Sequence, residues 1–366
     1  MEHLINMKMV FVGNFIGLTL LVILFMENAW RLHRGNRNGE NIAIMTMILT
    51  CAASCFLDPI AYYVDGLPGT LSRIVAFISN DILFLSYGVI SISWVYFMAV
   101  HLEGKISRRH FIFLLFLVGF VVVMLVVNRF NPIAFEIDAQ GNYTRKVGYF
   151  INLFVNAIIM TDGILLYARC RRKGGFMKSF PIAGYLSPLA AAVIVQSYFY
   201  GVSVISPSIA VGIASIIAGL KNEHAYRDEQ TNLFNRSYLD AYFTKIVAKH
   251  RVTGFMIRLK NLDDINLASG FQEGDRSIVR AASFLNEAVG DLGVVARFST
   301  DRFVVLLNTQ ADTIIRVLED EIRNDFERFN RNNKVVNYAF DMCHVKLKKE
   351  NSELFLMLNE LNQLLK

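Results

Sequence analysis

The stretch RFSTDRFVVLL, residues 297–307, sets five residues, Ser299-Thr300-Asp301-Arg302-Phe303, at the junction of two apolar runs. The runs GVVARF and RFVVLL are rich in β-branched and aromatic residues, so the stretch predicts two strands joined by a turn. A turn that brings backbone close to a ligand usually relies on glycine, and this one has none. It is therefore either a catalytic turn that has lost its chemistry or an ordinary hairpin that never had any.

Outward from the hairpin, the pattern continues in both directions. KNEHAYRDEQTNLFNRSYLDAYF (221–243) is a polar connector running into an amphipathic helix, and TGFMIRLKN (253–261) alternates toward a strand. GDRSIVRAASFLNEAV (274–289) has helical periodicity, as do ADTIIRVLEDEIRNDFERFN and SELFLMLNELNQLL, while KVVNYAFDMCHVKL reads as a further strand. The order is helix, strand, helix, two strands, helix, strand, helix. It predicts an α+β sheet with helices on one side.

Upstream the composition changes. Of 366 residues 54% are hydrophobic, and nearly all the long apolar runs lie before residue 221. Seven candidate spans fall at roughly 6–29, 41–64, 71–100, 110–128, 148–168, 181–200 and 204–220. About 20 apolar residues cross a bilayer core, so the expectation is an all-α seven-helix membrane bundle (1–220) followed by an α+β domain (221–366). The first run is long and has no small-residue cleavage site, so it reads as an anchor rather than a signal peptide.

Charge orients this bundle. Residues 1–220 hold 16 Lys+Arg against 10 Asp+Glu, whereas 221–366 balance at 21 and 21, so the bundle carries the whole net charge of +6. Loops with Arg31, Arg34 and Arg37, then Lys105, Arg108 and Arg109, then Arg169, Arg171, Arg172, Lys173 and Lys178 alternate with poorly basic ones. The positive-inside rule then places the N-terminus outside and the C-terminal domain in the cytoplasm of a plasma-membrane protein. The basic balance reflects lipid head groups and topology, not nucleic acid. Four cysteines, Cys51, Cys55, Cys170 and Cys343, suit neither a disulfide framework nor a metal set.

The longest outside loop, about 129–147, is too short for a ligand-binding domain of its own. Any signal must be sensed in the bundle or through the lipid. Polar residues inside spans are expensive and face the protein interior. Asp58, Asn80, Asp81, Asn152, Asn156 and Gln196 all fall in the outer half or near the midplane, with Asp162 deeper. They read either as an outward-open pocket for a small polar or cationic ligand or as interhelical hydrogen bonding alone. The last span has no lysine to bind retinal, and His101 and His110 sit at span ends, poorly placed for haem. A transporter stays open, because buried carboxylates also mark ion paths.

Residues 226–366 resemble the GGDEF, or diguanylate cyclase, domain. Asp228-Glu229-Gln230-Thr231-Asn232-Leu233-Phe234-Asn235-Arg236 is similar to the family's opening motif D-x-L-T-G-L-x-N-R, with Gln230 and Asn232 replacing Leu and Gly. RLKNLDDINLASGFQEGD (258–275) aligns without gaps to D-x-D-x-F-K-x-I-N-D-x-x-G-H-x-x-G-D, and the signature turn follows at the family's spacing. The resemblance implies an α+β fold and, in an intact member, cyclic di-GMP made from GTP.

The same resemblance identifies what has changed. In the family the first aspartate of D-x-D and the third signature residue hold two metal ions that bridge the triphosphate and activate the attacking hydroxyl. Here the D-x-D positions are Arg258 and Lys260, the signature glycines are Ser299 and Thr300, and the signature glutamate is Arg302. Asp301 survives, but one carboxylate is a poor Mg²⁺ site. The F-K lysine is Asp263, and Lys366 aligns with the late phosphate-binding lysine while the arginine beyond it is absent. The R-x-x-D product-inhibition site would need Arg and Asp where Gly290 and Gly293 stand. Asn266 and Asp275 match the guanine-contacting pair.

The expectation is thus a membrane receptor with a degenerate, catalytically silent GGDEF-like domain that has no metal and no cofactor. Its partners would be lipid, a small outside ligand, and a second copy or a cytoplasmic signalling protein. A divergent active cyclase and a transporter with a regulatory domain are the alternatives.

Overall fold

The structure, a computed structural model, describes residues 7–33, 39–172, 182–199, 201–247, 251–333, 336–348 and 353–365. Arg34, Arg37, Lys173, Lys178 and Lys366 lie outside the described residues. The chain divides into two units, one ending at Leu220 and one beginning at Lys221.

The first unit holds α1 (Met7–His33), α2 (Gly39–Val64), α3 (Thr70–Glu103), α4 (Arg108–Val127), α5 (Val147–Arg172), α6 (Ile182–Tyr198) and α7 (Ile205–Ala225) as far as Leu220. Six helices among the described residues are long and apolar enough to cross a membrane. The expected count of seven is reduced by α6, whose 17 residues rise only about 25 Å against a hydrocarbon core of about 30 Å. Large side chains such as Phe15, Phe116 and Phe154 point outward, a surface that hydrocarbon solvates and water does not. Inward, Trp94 stacks on Tyr185 at 4.3 Å.

The segment between α4 and α5 has more structure than its length suggests. It folds as a hairpin, β1 (Phe135–Ile137) paired antiparallel with β2 (Tyr143–Arg145). Phe135 is fully buried and lies 5.6 Å from the rings of Phe77, Phe84 and Tyr143. The buried Asn128 side chain accepts from Ala134 N at 2.7 Å and donates to Phe135 O at 3.0 Å, so the hairpin's first backbone groups are satisfied. In the turn Asp138 accepts from Asn142 N at 2.8 Å and from its side-chain amide at 2.9 Å. These bonds from Asn142 hold the Asp138 carboxyl below its usual range.

The second unit comprises α8 (Arg236–Ile246), β3 (Thr253–Leu259), α9 (Leu262–Ser269), α10 (Phe271–Val289), β4 (Gly293–Arg297), β5 (Arg302–Leu307), α11 (Asp312–Asn332), β6 (Phe340–Lys346) and α12 (Leu354–Leu364). The strands form one antiparallel sheet in the order β4-β5-β3-β6. Helices cover both faces, not one. Phe255, Ile257, Phe303 and Val305 face α9, α10 and α11, while Met256, Val304 and Leu306 face α8 and α12. The clue was the unbroken apolar run RFVVLL, which marks a strand buried on both sides rather than on one. Each fully buried Phe adds about 1.5–3 kcal/mol of hydrophobic stabilisation.

Gly141 ties the α4–α5 hairpin to the α2–α3 connection. Its φ is +92°, and a Cβ there would sit 2.4 Å from the Leu67 carbonyl oxygen. Gly141→Ala is therefore expected to destabilise the detergent-solubilised chain by about 2 kcal/mol or more, read as a lower thermal midpoint. Gly119→Ala, in α4 with nothing within 4 Å of the added carbon, is the control and is expected to leave the midpoint unchanged or raise it.

Candidate functional site

The hairpin turn lies at the end of the central strand. Leu259 N donates to Asp301 O at 2.9 Å, and Phe298 N and Ser299 N donate to Arg302 O at 2.9 and 3.2 Å. In this register Arg258 stands opposite Arg302 on β5 and Asp341 on β6. Arg258 Nε lies 3.0 Å from Asp301 Oδ2, and Ser299 Oγ donates to the other carboxylate oxygen at 3.1 Å. Both oxygens that could ligate a metal thus already accept hydrogen bonds. Lys260 Nζ pairs with Asp341 at 3.2 Å. Arg302 reaches away to Asn362 Oδ1 on α12 at 2.5 Å, with its Nε 3.8 Å from Asp301. Phe303 is fully buried in the core, and Thr300 and Asp263 are exposed.

The opening motif is a tightly bonded loop. Asp228 Oδ1 accepts from Thr231 N at 2.9 Å and from its hydroxyl at 2.7 Å. Asn232, standing for the family's glycine, has φ 57°, the left-handed conformation that Asn tolerates best after Gly. Asn235 caps α8 by accepting from Tyr238 N at 3.2 Å.

Gln230 and Arg297, which sequence reasoning did not single out as site residues, connect this loop to the rest. Arg297 NH1 lies 3.1 Å from Asp228 Oδ1 and 2.6 Å from Gln230 Oε1. The Gln230 amide in turn donates to Asp275 at 2.7 Å. Burial pushes the Asp228 carboxyl up, but its bonds from Thr231 and Arg297 outweigh that and hold it below the usual range. Asn266 packs on the next turn of chain, where a Cβ on Gly274 would come within 1.8 Å of its Oδ1. Asn266 and Asp275 therefore border one edge, and the carboxylate of Asp275 is engaged by Gln230. Only the position of Gln230 in the motif could have signalled this.

In the helical unit, Asp58, Asn80 and Gln196 line one cavity, with about 60 Å³ open to the centres of water molecules. Its remaining polar walls are Asp65, Arg145 and the tyrosines 62, 87, 143 and 149. Asp58 is buried and accepts from the Ser203 hydroxyl, which itself accepts from the Asn14 amide at 2.8 Å. Arg145 donates to Gln196 O at 2.8 Å, and its guanidinium lies 4.6 Å over the Tyr149 ring. Gln196 Oε1 receives Val204 N at 2.9 Å and Ile205 N at 3.0 Å, closing the start of α7. Asp65 accepts from Tyr143 N at 2.7 Å. Burial raises the Tyr143 phenol well above its usual range, with Arg145 opposing, so it stays a neutral hydrogen-bonding group.

The other polar residues named from sequence go elsewhere. Asp81 pairs with Arg129, which follows α4 and sits 4.8 Å over the Phe77 ring. The second carboxylate of the cavity is therefore Asp65, not Asp81. The Asn156 amide donates to the Asn152 carbonyl and side-chain oxygens at 2.9 and 3.1 Å, and its Oδ1 accepts from Ser91 at 2.7 Å. Asn156 lines a separate, mainly apolar cavity of about 450 Å³. Asp162 pairs with His110 at 2.5 Å.

Set beside known proteins, residues 225–356 match the family described as Diguanylate cyclase, GGDEF domain. The chain is 29% identical over 114 residues to the signaling protein YkoW of Bacillus subtilis, covering 28% of this chain and 14% of that protein. It is 27% identical over 112 residues to the probable diguanylate cyclase DgcT of Escherichia coli, covering 30% of this chain and 25% of that protein. Among solved structures it is similar to the GGDEF domain of DgcB from Caulobacter crescentus in complex with c-di-GMP. That likeness has 17% identity and a TM-score of 0.35 over 38% of this chain and 86% of the other. The chain spans only a small part of the curated relatives it matches. It is thus a chain of apolar, membrane-length helices followed by a second unit that is a GGDEF domain.

The Arg297–Asp228–Gln230 junction gives a measurable expectation. Arg297→Met should cost about 1–2 kcal/mol at neutral pH by removing the charged donor from Asp228 and Gln230 Oε1. A carboxyl whose folded pKa is depressed stabilises above its unfolded pKa and loses that contribution as pH falls through the folded one. The gap between wild type and Arg297→Met in thermal unfolding should therefore be full at neutral pH. It should narrow below about pH 4.

Proposed function

We propose that this protein is a membrane signalling receptor of the cyclic di-GMP class whose GGDEF domain works without cyclase chemistry. Occupancy of the cavity would be relayed to that domain as a protein–protein or dimerisation signal. The observation that carries this reading is the Arg258–Asp301 ion pair. A guanidinium occupies the place where the family's metal charge would sit, and a dication brought there would meet repulsion on the order of several kcal/mol, reduced by solvent. Ser299 and Thr300 also stand where glycines would let phosphates approach. The output would then lie in shape and partners, with the domain on the cytoplasmic side of the plasma membrane and the cavity facing outside.

The relay has a structural starting point. Asp58 through Ser203, Gln196 through Val204 and Ile205, and Tyr87 through Ser206 at 3.4 Å all reach the first turn of α7 or the residues leading into it. That helix runs to Ala225, where the GGDEF match begins. A ligand that competes for any of these groups changes what holds α7.

Two measurements test the reading of the domain. Purified full-length protein with GTP and Mg²⁺ or Mn²⁺ is expected to make no cyclic di-GMP above a protein-free control; product that disappears in Asp301→Ala would overturn the proposal. Calorimetry with GTP, GDP and ATP in chelator is expected to show no heat, since Asp275 is held by Gln230. Guanine-selective heat lost in Asp275→Ala would make the domain a nucleotide sensor instead.

A further inference from the structure

The cavity beneath the α4–α5 hairpin carries charges of both signs. Asp58 and Asp65 supply two carboxylates, and Arg145 supplies a guanidinium held in place by the Gln196 carbonyl and the Tyr149 ring. A simple cation entering it would meet Arg145, and a simple anion would meet Asp58 and Asp65. A solute that presents separated positive and negative ends finds a group of opposite sign for each on the walls. The rings of Tyr62, Tyr87, Tyr143 and Tyr149 line the same space, and aromatic faces attract organic cations. A planar guanidinium receives a carboxylate through paired donors.

Resting on the receptor reading above, we infer that the cavity binds a small zwitterion, with its ammonium group against Asp58 and the tyrosine rings and its carboxylate against Arg145. The size agrees. About 60 Å³ open to water centres is room for a small solute rather than a peptide. The position of Asp58 also gives binding a consequence. The ammonium group competes with the Ser203 hydroxyl for the carboxylate, and Ser203 lies two residues before α7. The ligand thereby loosens one of the bonds at the start of that helix.

The test uses the full-length protein in lipid nanodiscs, followed by thermal stability and intrinsic fluorescence. Glycine, alanine, proline and glycine betaine serve as zwitterions, tetramethylammonium and ethylamine as cations, and acetate as the anion. At least one zwitterion is expected to give a saturable shift, with no shift from amine or acetate at equal concentration. Binding is expected to weaken at least tenfold in both Asp58→Asn and Arg145→Gln. The ligand panel on unaltered protein keeps the test decisive if either variant fails to fold. Saturable binding of the amines alone, indifferent to Arg145→Gln, would overturn the zwitterion while leaving a receptor for cations. No shift with any of the compounds, and none with a wider screen of small solutes, would count against the zwitterion and the receptor reading together.

Discussion

A cation at the end of a central strand must find an anion, and in the GGDEF domain that requirement is met by one pair, Arg258 with Asp301. The strand that carries Arg258 is flanked on both sides, by β5 and by β6, and its preceding residues are buried on both faces. Arg258 emerges partly exposed at the end of β3 and pairs with Asp301, the one acidic residue of the turn. The neighbouring exchange follows the same logic on the other side, where Lys260 takes Asp341. Both cations pair with carboxylates of neighbouring segments, Asp301 in the turn and Asp341 on β6.

The same pairing explains why the fold was legible from residues that depart from the family's pattern. The hairpin, the order of helices and strands and the three spaced motifs depend on apolar periodicity and turn geometry, which the substitutions preserve. Asn232 illustrates this: it replaces a glycine, yet its φ of 57° is the conformation the loop requires. The placement of helices on both faces was less legible. Alternation in TGFMIRLKN suggests one wet face, but the continuous burial along β3 and β5 comes from α8 and α12. Those helices are distant in sequence and meet only in the folded sheet.

The membrane cavity was half legible for a related reason. Cost in hydrocarbon marks Asp58, Asn80 and Gln196 as interior, and the structure brings these three to one cavity. Cost alone does not say which charge finds a partner. Asp81 lies one residue from Asn80, yet it turns to Arg129. Asp65 and Arg145 sit outside the spans, where polar residues raise no question, so no rule of burial flags them. They reach the cavity because Phe135 anchors a short hairpin in an aromatic cluster. Strands of three residues have no periodicity to read.

The two units hold their charges in different ways. In the GGDEF domain Arg258 and Lys260 each pair with a carboxylate of the chain, Asp301 and Asp341. In the helical unit Asp58 is met by the neutral hydroxyl of Ser203, and Arg145 by the neutral carbonyl of Gln196. These neutral partners orient charges of opposite sign that line one cavity. Buried charges held in this way interact strongly with anything charged that enters, because the surroundings screen them poorly. A solute entering the cavity would meet groups of both signs, whereas the turn presents a carboxylate already bonded by Arg258 and Ser299.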